Sequence, residues 1–281
     1  MWYYARLHMK DCPVMEYPAK TTSVRLISLD FDGTILVYDD PAGVFHPHVI
    51  DLLNSLEARG IRWCANSGRD MKDQLGVLER SRERGLTFMP DALICSESLV
   101  YVRDGDTYVS LEPWNSAAHA DLRECHAKVQ KSLDGRLSYI QKTYQPISTM
   151  IGDLFTAFFV HDRDAQPVRL FNDLKKFLSG LEGVFLTRNG GWVAVMHEAL
   201  GKGHALKAYA RHIELPSDHI LAVGDQYNDL PMLILDVAHH VGCPGDAIPE
   251  VRQAVRKAGG VVADLPGPLG TLEVIHAMLK R

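Results

Sequence analysis

The 281-residue chain predicts an α/β fold, a parallel sheet with helical crossovers, interrupted by an inserted α+β segment. Three observations predict it. Short apolar runs alternate with helix-length amphipathic ones near the start. The middle of the chain changes to hairpin-like runs with helices between them. From Lys202 the first pattern resumes.

The elements run in this order. "VRLISLDF" (24–31) reads as a buried strand, and "PHVIDLLNSLEARG" (47–60) as a helix with Pro47 near its first turn and Gly60 as its stop. "IRWCANS" is a second strand. Residues 70–84 form a polar helix with Asp70 as cap, and "DALICS" is a third strand. Strand–helix–strand repeats of this kind need right-handed crossovers and hence a parallel sheet. "LVYVRDGDTYVSL" then reads as a hairpin, followed by a helix from Asn115 to Leu133, the strand "LFTAFFV", a helix over 164–179, and a hairpin around Asn189–Gly190. Beyond Lys202 come a helix to Ile213, the strand "HILAVGD", a helix near 228–235, the strand "HHVG", a helix over 249–258, the strand "VVAD" and a last helix from about 269. The expected organisation is an N-terminal extension over 1–21, a core from 22–97 and 198–281, and an insert over 98–197.

Hydrophobic residues make up 46% and charged residues 23%, ordinary for a globular protein, and the net charge of −5 argues against a dedicated nucleic-acid binder. The longest apolar run, 154–160, is too short to span a bilayer, so no membrane partner is expected. The N-terminus lacks the apolar core of a signal peptide. The five cysteines are scattered, and none forms a CxxC pair. Cys64 and Cys95 sit in apolar runs and read as buried thiols, and a reducing cytoplasm fits them.

Four short stretches carry the chemistry. In "DFDGT", an extended strand would point Asp30 and Asp32 the same way, roughly 6–7 Å apart. Gly33 would let the chain turn and leave its N–H accessible. Two carboxylates so close are costly unless a cation lies between them. In "AVGDQYNDLPML", Asp225 ends a strand and Asp229 lies four residues on. On a helical turn the two would share a face, as magnesium requires. "ANSGRD" offers Ser67 and Gly68 at a strand end, where a hydroxyl and free N–H groups hold anions. "GKGHAL" places Lys202 before a helix between glycines, although a lone lysine is ordinarily a solvated charge. For the acid pairs, helix capping is the competing reading.

The order of these four motifs, with the insert between the second and third, resembles the haloacid dehalogenase-like superfamily. Within it the chain is similar to the Cof-type, sugar-phosphate phosphatase-like group with an α/β cap on a Rossmann-like core. The resemblance covers residues 24–281. It implies Asp30 as nucleophile forming an aspartyl-phosphate, and Asp32 as the acid that protonates the leaving oxygen and then activates water. Gly33, Thr34, Ser67, Gly68 and Lys202 would hold the phosphoryl group, with Asn228 close to it. Asp225, Asp30 and the main-chain oxygen of Asp32 would bind Mg2+, with Asp229 supporting that shell. One departure stands out: many relatives carry Asn-Gly-Ala after the third strand, and here the sequence is Ser96-Glu97-Ser98.

The expected function is a magnesium-dependent phosphatase for a small phosphorylated metabolite such as a sugar phosphate. The alternatives are a phosphomannomutase-like phosphotransferase and a non-catalytic phosphometabolite-binding protein. The insert would act as a lid. Arg188 and Asn189, in the turn of its second hairpin, and Trp192 just beyond are the candidates for substrate specificity. "HEALGKGH" has the wrong spacing for a zinc-binding HExxH.

Overall fold

The computed structural model describes residues 23–37, 42–161 and 165–280. The expected extension over 1–21 and Cys12 lie outside the described residues. The larger sheet is built from β1 (Leu26–Leu29), β2 (Arg62–Asn66), β3 (Ala92–Cys95), β4 (Leu99–Asp104) and β5 (Thr107–Ser110), and from the later strands β10 (Ile220–Val223), β11 (His240–Cys243) and β12 (Val261–Val262). Its order is β12-β11-β10-β1-β2-β3-β4-β5. The first six strands in that order run parallel to one another, β4 is antiparallel to β3, and β5 is antiparallel to β4.

Both faces of this sheet are covered, which is why its strands read as continuous apolar runs. Ile27, Leu29, Trp63 and Leu93 pack on one face beneath α1 (Pro47–Ala58), α2 (Met71–Arg82) and α8 (Gly267–Leu279). Leu26, Cys64, Ala92 and Ile94 pack on the other beneath α6 (Lys202–His212) and α7 (Pro249–Lys257). The local signals behave as expected: Pro47 is at the start of α1, and Asp70 caps α2 by accepting from the Asp73 N–H at 2.8 Å. Cys64 and Cys95 are buried thiols.

The smaller sheet has the order β6-β7-β9-β8 and is antiparallel throughout. Its strands are β6 (Ser148–Ile151), β7 (Thr156–Phe159), β8 (Val184–Asn189) and β9 (Trp192–His197). With it go α3 (Trp114–Leu133), α4 (Leu137–Tyr144) and α5 (Gln166–Phe177). Val129, Ile140, Phe158, Leu170, Leu174, Val193 and Val195 form its core.

Three points differ from the sequence expectation. The first hairpin, grouped there with the insert, continues the larger sheet. A tight turn, in which the Ser98 N–H donates to the Cys95 carbonyl at 3.0 Å, sets Leu99 opposite Cys95 and lays β4 on β3. The eight-residue α4 and the four-residue β6 escaped notice because both are short, and α4 follows α3 after only three residues. The helix expected near 228–235 is a six-residue 3-10 helix, Tyr227–Met232, because Pro231 inside it has no N–H to donate. Among the described residues, no helix is long and apolar enough to cross a membrane.

Candidate active site

The site lies at the carboxyl ends of β1, β2, β3 and β10, the edge at which open α/β sheets present ligands. β1 stops at Leu29, and the Asp30 N–H makes a last ladder bond to the Val223 carbonyl at 3.1 Å. The chain then wraps around the Phe31 carbonyl, which accepts from the N–H groups of Thr34, Ile35 and Leu36. Gly33 takes a φ of 78° there, which a side chain would resist. Asp30 and Asp32 therefore do not share one extended strand, as their alternation suggested. Nor is the Gly33 N–H open to a ligand, because it donates to the Leu36 carbonyl at 2.8 Å.

Each acid has its own cation. Asp30 is 2% exposed, and its Oδ1 lies 2.7 Å from Lys202 Nζ. Lys202 opens α6 and is itself wholly buried, so it is not the solvated charge that a lone lysine usually is. Its Nζ also donates to Asp229 Oδ1 at 2.6 Å. Burial alone would lower the Lys202 pKa, but Asp229 and Asp30 outweigh it and raise it, so the ammonium stays charged. Burial pushes the Asp30 carboxyl well above its usual range. Asp229 and Asp225 add to the push, and Lys202 only partly offsets it.

Asp32 is held in a different way. Arg69 chelates it with Nε on Oδ2 at 2.8 Å and a terminal nitrogen on Oδ1 at 2.7 Å. The fork also raises the Arg69 pKa. The Arg69 N–H donates to Ser67 Oγ at 3.2 Å, which ties the Ser67 hydroxyl to the same loop.

The second acid pair closes the cluster. Asp229 Oδ2 accepts from the N–H groups of Asp225 and Gln226, each at 2.8 Å. Its side chain crowds Gly224, where a Cβ would stand 2.4 Å from Asp229 Cγ. Asp225 is 3% exposed, and its Oδ1 accepts from Thr34 Oγ1 at 3.0 Å. Thr34 is thus turned to Asp225, and its N–H to the Phe31 carbonyl. Asn228 is buried, and its Nδ2 donates to Glu97 Oε1 at 3.0 Å.

Asp30, Asp225 and Asp229 each offer a carboxylate oxygen, and these three atoms lie within 4.8 Å of one another. Asp30 Oδ2 is buried and has no hydrogen-bond partner. An all-oxygen, anionic donor set with one orphaned lone-pair atom fits a hard divalent cation such as Mg2+. Both Asp229 oxygens are already engaged, so Asp30 and Asp225 are the better direct ligands, and Asp229 is suited to orienting them.

Of the three insert residues, Arg188 reaches the core: its guanidinium carbon sits 4.6 Å from the centre of the Tyr227 ring, next in sequence to Asn228. Tyr227 in turn donates to Glu250 Oε1 at 2.5 Å. Asn189 ends β8 opposite Trp192, and Trp192 packs on Phe159 at 5.0 Å within the smaller sheet. Sequence reasoning passed over two residues at the site. Arg69 stands in the quoted "NSGRD", beside the serine and glycine that drew attention. Glu97 stands in the departure from Asn-Gly-Ala, and its signal was that a large acid occupies a place where relatives carry a small amide and glycine.

Known proteins bear on this geometry in two ways. No curated protein matches the sequence. Several solved structures share the fold at low identity. A sucrose-phosphatase from Synechocystis sp. PCC6803, solved with sucrose and phosphate, is 20% identical over 92% of this chain and 98% of its own, with a TM-score of 0.67. A phosphatase of the haloalkanoate superfamily from Bacteroides thetaiotaomicron is 18% identical over 95% of this chain and 99% of its own, with a TM-score of 0.59. A haloacid dehalogenase-like hydrolase from B. subtilis is 16% identical over 92% and 99%, also with a TM-score of 0.59. At such identities the likeness carries the fold alone. The family comes from the sequence: the model of the haloacid dehalogenase-like hydrolases matches residues 91–263, more than half of the chain, and the chain belongs to that family.

Proposed function

We propose that the protein is a magnesium-dependent phosphomonoesterase that acts through an aspartyl-phosphate on Asp30, with a small phosphorylated metabolite as substrate. The larger sheet is the catalytic core in this reading, and the unit built on the smaller sheet is its lid. The observation that carries it is the state of Asp30. Its carboxylate is buried at a strand end, one oxygen is fixed by Lys202, and the other is unpartnered beside two further acids. A surface ion pair or a helix cap needs none of that.

The residues divide the work. Lys202 holds Asp30 through Oδ1, and the Asp30 carboxylate is the group that attacks phosphorus as the ester oxygen leaves. Asp225 and Asp30 would hold Mg2+, and the chemistry the cation supplies is neutralisation of the phosphoryl oxygens, so that a carboxylate can approach a dianion. Asp32 gives a proton to the leaving oxygen as the ester bond breaks. It then takes one from the water that cleaves the aspartyl-phosphate and frees Asp30. Arg69 holds both oxygens of Asp32. The first step needs one of its two contacts to open. Ser67, Gly68 and Asn228 line the phosphoryl side. A sugar phosphate is the favoured substrate class, supported by the likeness to a sucrose-phosphatase solved with sucrose and phosphate. The test is release of inorganic phosphate from a panel of sugar phosphates, with magnesium and with EDTA. Release that needs magnesium is expected; release undiminished in EDTA, or none from any ester, would contradict the reading.

A further inference from the structure

β3 ends at Cys95, and the next two residues, Ser96 (φ 47°) and Glu97 (φ 62°), both adopt the left-handed region. Neither is glycine, so the turn stores backbone strain, and strain of this kind collects at functional sites. The turn is stitched to the Ser67 loop. The Ser96 N–H donates to the Arg69 carbonyl at 2.9 Å, and the Glu97 N–H to the Ser67 carbonyl at 3.1 Å. These bonds bring the Glu97 carboxylate to the site, where Oε1 accepts from Asn228 Nδ2 at 3.0 Å and lies 3.4 Å from where a Cβ on Gly68 would stand. Burial holds the Glu97 carboxyl above its usual range, and Lys202 and Asn228 work against that rise.

The steps of phosphoryl transfer leave Glu97 idle, yet it borders the groups assigned to the phosphoryl side. Asn228 Oδ1, on the amide that bonds Glu97, is buried without a hydrogen-bond partner. A carboxylate beside an orphaned amide oxygen calls for a donor, and the ligand is the natural source of one. The same carboxylate repels any second negative charge on the ligand across a poorly screened distance.

We propose that Glu97 selects substrates by charge. It favours phosphate monoesters that carry an ammonium or hydroxyl donor a few bonds from phosphorus, and it rejects those that carry a second anionic group there. The proposal rests on the phosphomonoesterase reading and deepens it.

Three esters of one size test it: 2-aminoethyl phosphate, 2-hydroxyethyl phosphate and 2-phosphoglycolate. For the wild type, kcat/KM should fall in that order, with the first about 10- to 100-fold above the last. Glu97→Gln and Glu97→Asn, the second chosen because asparagine tolerates a positive φ, should bring the three within about threefold of one another. Glu97→Asp, which keeps the charge, should retain the order. The same esters are titrated by calorimetry, with magnesium, into Asp30→Asn with and without Glu97→Gln. If the order holds in binding but neither these esters nor any sugar phosphate of the panel turns over, the phosphomonoesterase reading fails and the role of Glu97 stands. If esters turn over but the order is unchanged by Glu97→Gln, or phosphoglycolate is preferred by the wild type, the role of Glu97 is overturned and the phosphomonoesterase reading stands. No binding of any ester overturns both.

Discussion

Lys202 is the residue on which the site's electrostatics turn. One ammonium, wholly out of water, serves two carboxylates at 2.7 and 2.6 Å. Removing one partner from a buried ion pair leaves uncompensated charge, which typically costs about 3–5 kcal/mol. Lys202→Met should therefore lower Tm markedly in calorimetry without metal, and magnesium should restore part of the loss by supplying positive charge between the same acids. An unchanged Tm would mean that the acids are neutral in the folded protein. Asp32→Asn tests a different role. Asparagine keeps the size but neither gives nor takes a proton, so turnover of a sugar phosphate should fall by about 10²–10⁴-fold. An aryl phosphate, whose leaving oxyanion is more stable, should lose less. Equal losses on both would remove the acid–base assignment. The acids stood out in the sequence because they fall near strand ends, whereas Lys202 by itself reads as a solvated charge and stood out only through the motif order that resembles the family. Their pairing was not legible: nothing in "DFDGT" says that Asp30 faces Lys202 while Asp32 faces Arg69, since the partners stand far along the chain.

The elements of the smaller-sheet unit decide how it meets the larger sheet. The β8–β9 hairpin reaches the 3-10 helix at Tyr227 through Arg188, a contact of the cation–π type worth about 0.5–2 kcal/mol. If the smaller-sheet unit serves as the proposed lid, Arg188→Ala should raise KM for a sugar phosphate by about 2- to 10-fold, with a smaller effect on kcat. A fall in kcat alone would place Arg188 in the chemistry instead. Helix α3 carries a buried His126, whose Nδ1 lies 3.1 Å from Thr156 Oγ1 on β7. Burial, with His197 adding to it, lowers the His126 pKa to about 4 from an ordinary 6.5. The unfolded chain therefore binds this proton at higher pH than the folded one. Stability should be full above pH 6.5 and fall as pH drops from 6.5 towards 4. Melting across that range should show the fall, and His126→Gln should reduce it; an identical slope in both proteins would assign the fall to other groups. Elements with a clear apolar signature, the amphipathic α1 and the continuously apolar β10, were readable from sequence. The side taken by the first hairpin was not, because a tight turn at Ser96–Ser98, rather than any pattern within the strands, lays β4 on β3.

At the scale of the whole molecule, one chain builds two sheets. The parallel order β12-β11-β10-β1-β2-β3 brings strand ends from both halves of the chain to one edge, and the insert leaves the core between β5 and α6. The gathering of strand ends from both halves was implied by the return of the strand–helix alternation after Lys202, because a parallel sheet interrupted by an insert is completed by strands from the far side of that insert; the point at which the insert leaves was not, since the first hairpin was expected within it. The closeness of insert and core was not legible in the sequence, since it depends on side chains such as Arg188 and Tyr227 meeting across a large separation along the chain. The central claim is that phosphorus passes through Asp30. The most direct test is intact-protein mass spectrometry after acid quench, with peptide mapping, on wild type, Asp32→Asn and Asp30→Asn turning over an aryl phosphate with magnesium. The account predicts a phosphoryl group on Asp30, accumulating in Asp32→Asn because its hydrolysis lacks a base, and none in Asp30→Asn. A phosphoryl group on another residue, or steady turnover by Asp30→Asn, would contradict it.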